Sequence, residues 1–232
     1  MRTLGLIGGM SWESTAVYYR LLNGMVRDRL GGLHSARLLL LSVDFAEIAA
    51  LQAEGRWSVL TERMVDAGRH LRAGGAEALL ICTNTMHLMA AAVEEAAGLP
   101  LIHIADTTAA ACRKAGVRRP LLLATRYTME HPFYAERLHR HGLEPLVPGP
   151  EDRTTIHRII YEELCRGEIR EDSRAAYRAV IERMRAEGAD GVILGCTEIG
   201  LLIRQEDSPL PVFDTTEIHC AAAVDFALAP GP

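Results

Sequence analysis

One short pattern occurs twice in this chain, and it restricts the fold more than any other feature. Gly188-Ala-Asp-Gly-Val-Ile-Leu-Gly-Cys196-Thr197-Glu198 is echoed by Gly75-Ala-Glu-Ala-Leu-Leu-Ile-Cys82-Thr83-Asn84-Thr85. A brief apolar run without alternation predicts a strand buried on both faces, and a polar trio at its end predicts a turn carrying chemistry. Aligning the two glycines sets Cys196 opposite Thr83, Thr197 opposite Asn84 and Glu198 opposite Thr85. The echo continues downstream, where Leu99-Pro100 leads to Asp106-Thr107-Thr108 and Leu210-Pro211 leads to Asp214-Thr215-Thr216. Such self-similarity predicts an internal duplication.

Between these strands the periodicity changes repeatedly from strand to helix. Strands are expected at 3–7, 37–43, 78–81, 101–104, 121–124, 146–147, 192–194 and 211–213. Helices are expected at 14–27, 45–53, 59–73, 86–97, 107–115, 130–141, 154–165, 172–187, 199–203 and 217–228. The β-α alternation predicts α/β architecture with parallel sheets. The duplication predicts two domains, residues 1–103 with 210–232 and residues 104–209, and the segment Pro148-Gly-Pro150 reads as a loop.

Composition excludes several classes. The net charge of −5 comes with no basic stripe, so a nucleic-acid partner is not expected. No apolar run reaches bilayer length, and the opening Met1-Arg-Thr-Leu-Gly-Leu-Ile reads as a first strand rather than a signal peptide. The five cysteines are odd in number and widely spaced, which predicts reduced thiols in the cytoplasm. Lys114 is the only lysine and falls in an expected surface helix. A Schiff-base cofactor such as pyridoxal phosphate would need a lysine, so no cofactor is expected. A metal is not expected either, because Cys82 and His87 lie five apart and no Cys-x-x-C occurs. Gly5-Leu-Ile-Gly8-Gly9 lacks the full dinucleotide spacing and reads as a tight strand-to-helix turn.

Most histidines read as surface or helix-face residues (His34, His70, His139, His141, His157). His87 and His219 fall one turn into helices that follow the polar turns, where they could support them. Cys82, Cys112 and Cys220 read as core. Cys196 would too, but for its duplicated setting. Equivalent turns facing a cleft could remove a proton from one face of a tetrahedral carbon and deliver one to the other, which suits a racemase. A helix N-terminus would lower the Cys196 thiol pKa toward that use.

At these residues the chain resembles the aspartate/glutamate racemase superfamily, most of all its L-aspartate/glutamate or broad-specificity branch. Three segments carry the resemblance: Gly8-Gly9-Met10-Ser11-Trp12-Glu13-Ser14-Thr15, Cys82-Thr83-Asn84-Thr85-Met86-His87, and Gly195-Cys196-Thr197-Glu198-Ile199-Gly200. The resemblance implies two pseudo-symmetric flavodoxin-like α/β domains with an active-site cleft between them, no cofactor, an amino-acid substrate and a homodimer. It makes Cys196 and Thr83 the catalytic pair and places Met10, Ser11, Gln52, Thr83, Asn84, Thr85, Cys165, Thr197 and Glu198 around the substrate. Two departures stand out. Thr83 occupies the position of the usual first cysteine, and Cys165 occupies that of a lysine which pairs with a distal carboxylate in aspartate-specific relatives. Homoserine or another polar amino acid therefore joins aspartate and glutamate as a candidate substrate. The alternatives are another isomerase or decarboxylase of the superfamily, a non-catalytic amino-acid-binding protein and, more remotely, a lone-cysteine hydrolase.

Overall fold

The computed structural model describes residues 1–230. In chain order the elements are β1 (Leu4–Gly8), α1 (Trp12–Leu30), β2 (Leu38–Ser42), α2 (Phe45–Ala53), α3 (Trp57–Ala73) and β3 (Ala78–Ile81). A 3-10 turn (Thr85–Met89) leads into α4 (Ala90–Ala97), followed by α5 (Ile104–Lys114), β4 (Pro120–Leu123), α6 (Arg126–Glu130) and α7 (Pro132–Arg140). The chain closes with α8 (Pro150–Glu162), α9 (Glu171–Ala186), β5 (Gly191–Leu194), α10 (Ile199–Leu202), β6 (Val212–Asp214) and α11 (Thr215–Leu228).

These elements form two compact units, Met1–His103 with the chain from His219, and Ile104–Ile218. The expected return to the first unit at residue 210 comes later, because β6 pairs with β5 and holds residues 212–214 in the second sheet. Both sheets are parallel, with orders β2-β1-β3 and β4-β5-β6. Single bridges complete the likeness: Leu101 joins the outer side of β3, and Leu146 joins the outer side of β4. The four-position order β2-β1-β3-Leu101 thus matches Leu146-β4-β5-β6, with β5 equivalent to β3 as the duplicated sequence requires. The strands expected at 101–104 and 146–147 shrink to these bridges.

Each unit buries its sheet on both faces. In the first, Leu4, Leu6, Ala78 and Leu80 pack with Tyr18, Leu22 and Val26 of α1 and Val224 of α11. The opposite-facing Ile7, Leu79 and Ile81 pack with Leu60, Met64 and Val93 of α3 and α4. In the second, Leu121–Leu123 and Val192–Leu194 share one core with Ile156, Ile160, Tyr177 and Ile181 of α8 and α9. Full burial of each such aliphatic side chain contributes about 1.5–3 kcal/mol, which explains strands that read as unbroken apolar runs.

Local chemistry shifts several boundaries. Residues 130–141 form two helices, since Pro132 takes the first position of α7 and holds His131 extended (φ −82, ψ 136). Pro150 likewise starts α8 at its first turn instead of closing a loop. The downstream Asp-Thr-Thr echo also has unequal outcomes. Asp214 accepts from the Thr216 and Glu217 amides at 2.8 and 3.2 Å and so starts α11. Asp106 lies inside α5 and holds Arg137 through two hydrogen bonds at 2.7 and 2.6 Å. Among the described residues no helix is long and apolar enough to cross a membrane.

Candidate active site

In the second unit the site begins at the end of β5. Gly195 continues the strand, its N–H donating to the Leu123 carbonyl at 2.7 Å, so Cys196, Thr197 and Glu198 turn off a fixed edge. All three are buried. The Cys196 Sγ donates to Glu198 Oε2 at 2.9 Å, and the Thr197 Oγ1 donates to the same oxygen at 2.8 Å. Gly200 stands where a Cβ would come within 2.3 Å of Asp214 Oδ2, so the turn can pack against the α11 start only with glycine there. Burial pushes the Cys196 thiol well above its ordinary value, and the Glu198 charge and the nearby Cys165 push it further. This reverses the expected lowering by a helix N-terminus. Helix α10 is a single short turn, and a carboxylate occupies the thiol's flank. The Thr197 hydroxyl directs its hydrogen to Glu198, which leaves its oxygen to accept.

Two tyrosines that the sequence reading missed stand beside this thiol. Tyr177 is buried and Tyr161 partly buried; burial raises both phenols, and the charges of Cys196, Cys165 and Glu198 raise them further. The i,i+4 spacing of Tyr161 and Cys165 at the end of α8 is the signal that could have found the first. Cys165 sits in a short 3-10 turn fixed by the buried Glu163, which accepts from Ser173 Oγ and pairs with Arg158 at 3.0 Å. The Arg126 side chain is half exposed and 4.0 Å from Glu130, while its N–H donates to His157 Nδ1 at 3.3 Å.

In the first unit β1 and β3 are paired in register, so their C-terminal turns lie side by side. The Cys82 N–H donates to the Ile7 carbonyl at 2.9 Å, and Ser14 Oγ donates to the Cys82 carbonyl at 3.4 Å. Met10, Ser11, Asn84 and Thr85 are buried at this end of the sheet, and Thr83 is half-buried. Gln52 joins them from α2 with Nε2 3.4 Å from Met86 Sδ. Gly9 adopts φ 87 beneath Val43, whose carbonyl would lie 2.2 Å from a Cβ, so glycine is required for this close approach. Cys82 is fully buried in the core with its thiol pKa raised by burial, as alternation along the strand predicts.

His87 holds the Thr83 turn. Its Nδ1 lies 2.7 Å from the Thr83 carbonyl, so Nδ1–H donates and the tautomer is fixed. Its ring packs against His103 and His219 at centroid distances of 4.6 and 5.7 Å. His219 is itself locked, with Nδ1 accepting from the Tyr18 hydroxyl at 2.8 Å and Nε2–H donating to the Ile102 carbonyl at 2.6 Å. Burial lowers its pKa to about 4. The histidines are thus structural supports. Among the described residues no group of three His, Cys, Asp or Glu side chains is placed to hold a metal ion.

Known proteins share this fold. The sequence profile of the Asp/Glu/hydantoin racemase family matches residues 7–223. A candidate Asp/Glu racemase from Yersinia pestis is 53% identical, with TM-score 0.92 over 99% of this chain and 100% of that one. An aspartate racemase homologue from Pyrococcus horikoshii OT3 is 34% identical, with TM-score 0.86 over 99% and 100%. The glutamate racemase of Francisella tularensis subsp. tularensis SCHU S4, solved with D-glutamate, is 13% identical with TM-score 0.70 over 97% and 80%, a likeness of fold alone. The chain belongs to the Asp/Glu/hydantoin racemase family, and its chemistry is that of a racemase.

Proposed function

We propose that the protein racemises a polar α-amino acid (aspartate, glutamate or homoserine) without a cofactor, through Cys196 and Thr83. The observation that carries this reading is the Cys196 Sγ–Glu198 Oε2 hydrogen bond of 2.9 Å at the end of a buried strand. A thiol in that setting is protonated at rest, and Glu198 is the group to which it can pass its proton. The resulting thiolate takes the α-proton of the L enantiomer. The charge of a substrate ammonium offsets that of the carboxylate and lowers the cost of the step. The opposite face of the carbanion receives a proton from the Thr83 hydroxyl or a water that it holds.

Asn84 and Thr85 bind the α-carboxylate together with the turn N–H groups and stabilise the enolate-like charge as it develops. Met10, Ser11 and Gln52 line the same end of the first sheet, and Thr197 orients Glu198. Cys165, flanked by Tyr161, meets the substrate side chain with a neutral group. This supports an uncharged side chain such as that of homoserine, unless Arg126 reaches a distal carboxylate. Homology also carries a homodimer, and five cysteines without a disulfide support a cytoplasmic setting.

The test is α-proton NMR in heavy water with both enantiomers of aspartate, glutamate and homoserine, without pyridoxal phosphate. The wild type should exchange the α-proton of at least one of them, and Cys196→Ser should lose at least about 10²-fold of that rate. Exchange that survives Cys196→Ser removes the thiol from the mechanism. Binding without any exchange makes the protein an amino-acid-binding module.

A further inference from the structure

Two helices of the second unit end at one cleft with more positive charge than their ends require. Helix α5 carries Arg113 in its last turn, and α7 carries Arg140. Basic residues there ordinarily complement the helix dipole or cap the last carbonyls. Here the turns that follow already satisfy those carbonyls. The Cys112 and Arg113 oxygens accept from the Val117 and Gly116 N–H groups, each at 3.0 Å. The Leu138 and His139 oxygens accept from the His141 and Gly142 N–H groups at 3.0 and 2.8 Å. Both guanidiniums are exposed and, among the described residues, neither meets a carboxylate or a carbonyl.

The cleft measures about 500 Å³, within the range of small-molecule sites. A third guanidinium, Arg118, lines it from the segment before β4, where no helix end accounts for it. Arg118 is likewise exposed and without an ion pair among the described residues. The buried Val117 and Leu143 back the cleft. No atom lies within 4 Å of where a Cβ would stand on Gly116 or Gly142, so these turns leave the space clear. The neighbouring acids are engaged elsewhere. Asp106 is held by Arg137 at 2.7 and 2.6 Å and by His141 Nε2 at 2.9 Å. Asp190 accepts from the Arg118 and Arg119 N–H groups, both at 2.8 Å, and Glu144 lies 4.0 Å from the Arg119 side chain. In a chain of net charge −5 the cleft thus gathers three uncompensated cations from three segments.

We propose that this cleft binds a compact oligophosphate, inorganic di- or triphosphate in its simplest form. Each guanidinium is a planar fork that takes two phosphoryl oxygens at once, and a phosphate chain supplies oxygens for three forks. A single carboxylate has too few. Among the described residues no Phe, Tyr or Trp lines the cleft, so nothing is offered to a nucleobase and recognition is of the charged group alone. The site is separate from the candidate active site. Asp190 anchors it just before β5, whereas Cys196 follows the other end of that strand. The proposal therefore does not rest on the racemase mechanism.

Calorimetric titration of the intact protein with inorganic triphosphate, with amide NMR to locate the ligand, tests the proposal. Triphosphate should bind once per chain at low salt and move the Gly116 and Gly142 amide signals. Arg118→Gln and Arg140→Gln should each weaken binding at least about tenfold, the effect of losing a charge-assisted hydrogen-bonded contact. Both side chains are exposed, so circular dichroism should be unchanged. Arg20→Gln removes an equally unpaired guanidinium outside the cleft and should leave the affinity within about twofold. A nucleoside triphosphate should bind no more tightly than inorganic triphosphate, and citrate more weakly. Absence of binding, saturation without movement of either glycine signal, or equal weakening by all three substitutions would overturn the proposal. Tighter binding of the nucleotide or of citrate would overturn the oligophosphate assignment.

Discussion

The Cys196 turn and the Thr83 turn occupy the same place in two copies of one supersecondary unit, yet they are built from opposite chemistry. At Cys196 the thiol donates directly to a buried carboxylate 2.9 Å away. At Thr83 the hydroxyl is half-buried, and the support comes from a histidine that grips the backbone carbonyl at 2.7 Å. One turn shares a proton between two side chains, and the other is fixed through a backbone carbonyl. Duplication fixes where the groups stand, while the residues substituted at each turn fix their acid–base character. Enantiomers have equal free energy, so kcat/KM must be equal in both directions whatever the asymmetry. The asymmetry can appear only in the balance between α-proton exchange and inversion.

The largest expected effect is at the carboxylate. Glu198→Gln removes the acceptor of the thiol proton and should lower kcat by about 10²–10³-fold with the fold intact. It also removes a charge that raises the thiol pKa, so the rising limb of the rate profile, where the thiol loses its proton, should move to lower pH. A kcat–pH profile shows both changes at once. An unchanged rate would reduce Glu198 to a structural role and erase the contrast between the turns.

Thr83→Ala tests the other side. Inversion should fall by about 10–100-fold, while exchange into the L substrate stays within about threefold because Cys196 is untouched. The wild type should itself exchange the L substrate faster than it inverts it. Equal exchange and inversion rates with both enantiomers would sink the assignment of Thr83 as the weaker partner.

The supports of the two turns should also separate by pH. His219 is neutral in the folded first unit with a pKa of about 4, against 6.5 for an unperturbed histidine. The unfolded chain therefore binds more protons between these values, so stability falls as pH drops from 6.5 toward 4, by about 3 kcal/mol if His219 acts alone. Above pH 6.5 the group contributes no pH dependence. Urea unfolding at pH 7.5, 6 and 5 should show the slope, and His219→Gln should flatten it. A slope unaffected by His219→Gln would assign the acid sensitivity to other groups, of which Asp214 in the second unit is not one, because its pKa, raised by desolvation, acts in the opposite direction.

Much of this was legible in the chain because it rests on local pattern. Helix α2 and strand β3 fall where periodicity puts them, and the matched sheet orders follow from the two glycine-led repeats. What escaped depends on contacts that sequence spacing does not encode. Single bridges at Leu101 and Leu146 replace strands because each has one neighbour and little length to pair. The Asp-Thr-Thr echo fails because Asp106 found Arg137 while Asp214 found a helix start. The direction of the Cys196 pKa shift depended first on burial of the thiol and then on the Glu198 carboxylate beside it, and that carboxylate also took the Thr197 hydroxyl hydrogen. His87 was readable as a residue near the turn, but not as the donor to the Thr83 carbonyl.

That donor gives the finest test. Asparagine places an N–H where the histidine Nδ1–H lies, and glutamine places one nearer Nε2. If the contact with the Thr83 carbonyl is what matters, His87→Asn should keep inversion within about threefold. His87→Gln should lose about tenfold in kcat with little change in KM, the worth of one buried hydrogen bond. Exchange at Cys196 should be the same in both variants, since the second turn is built without His87. Equal losses in the two variants would shift the role of His87 to its ring packing with His103 and His219, and Thr83 would then be held by the shape of that cluster rather than by one bond.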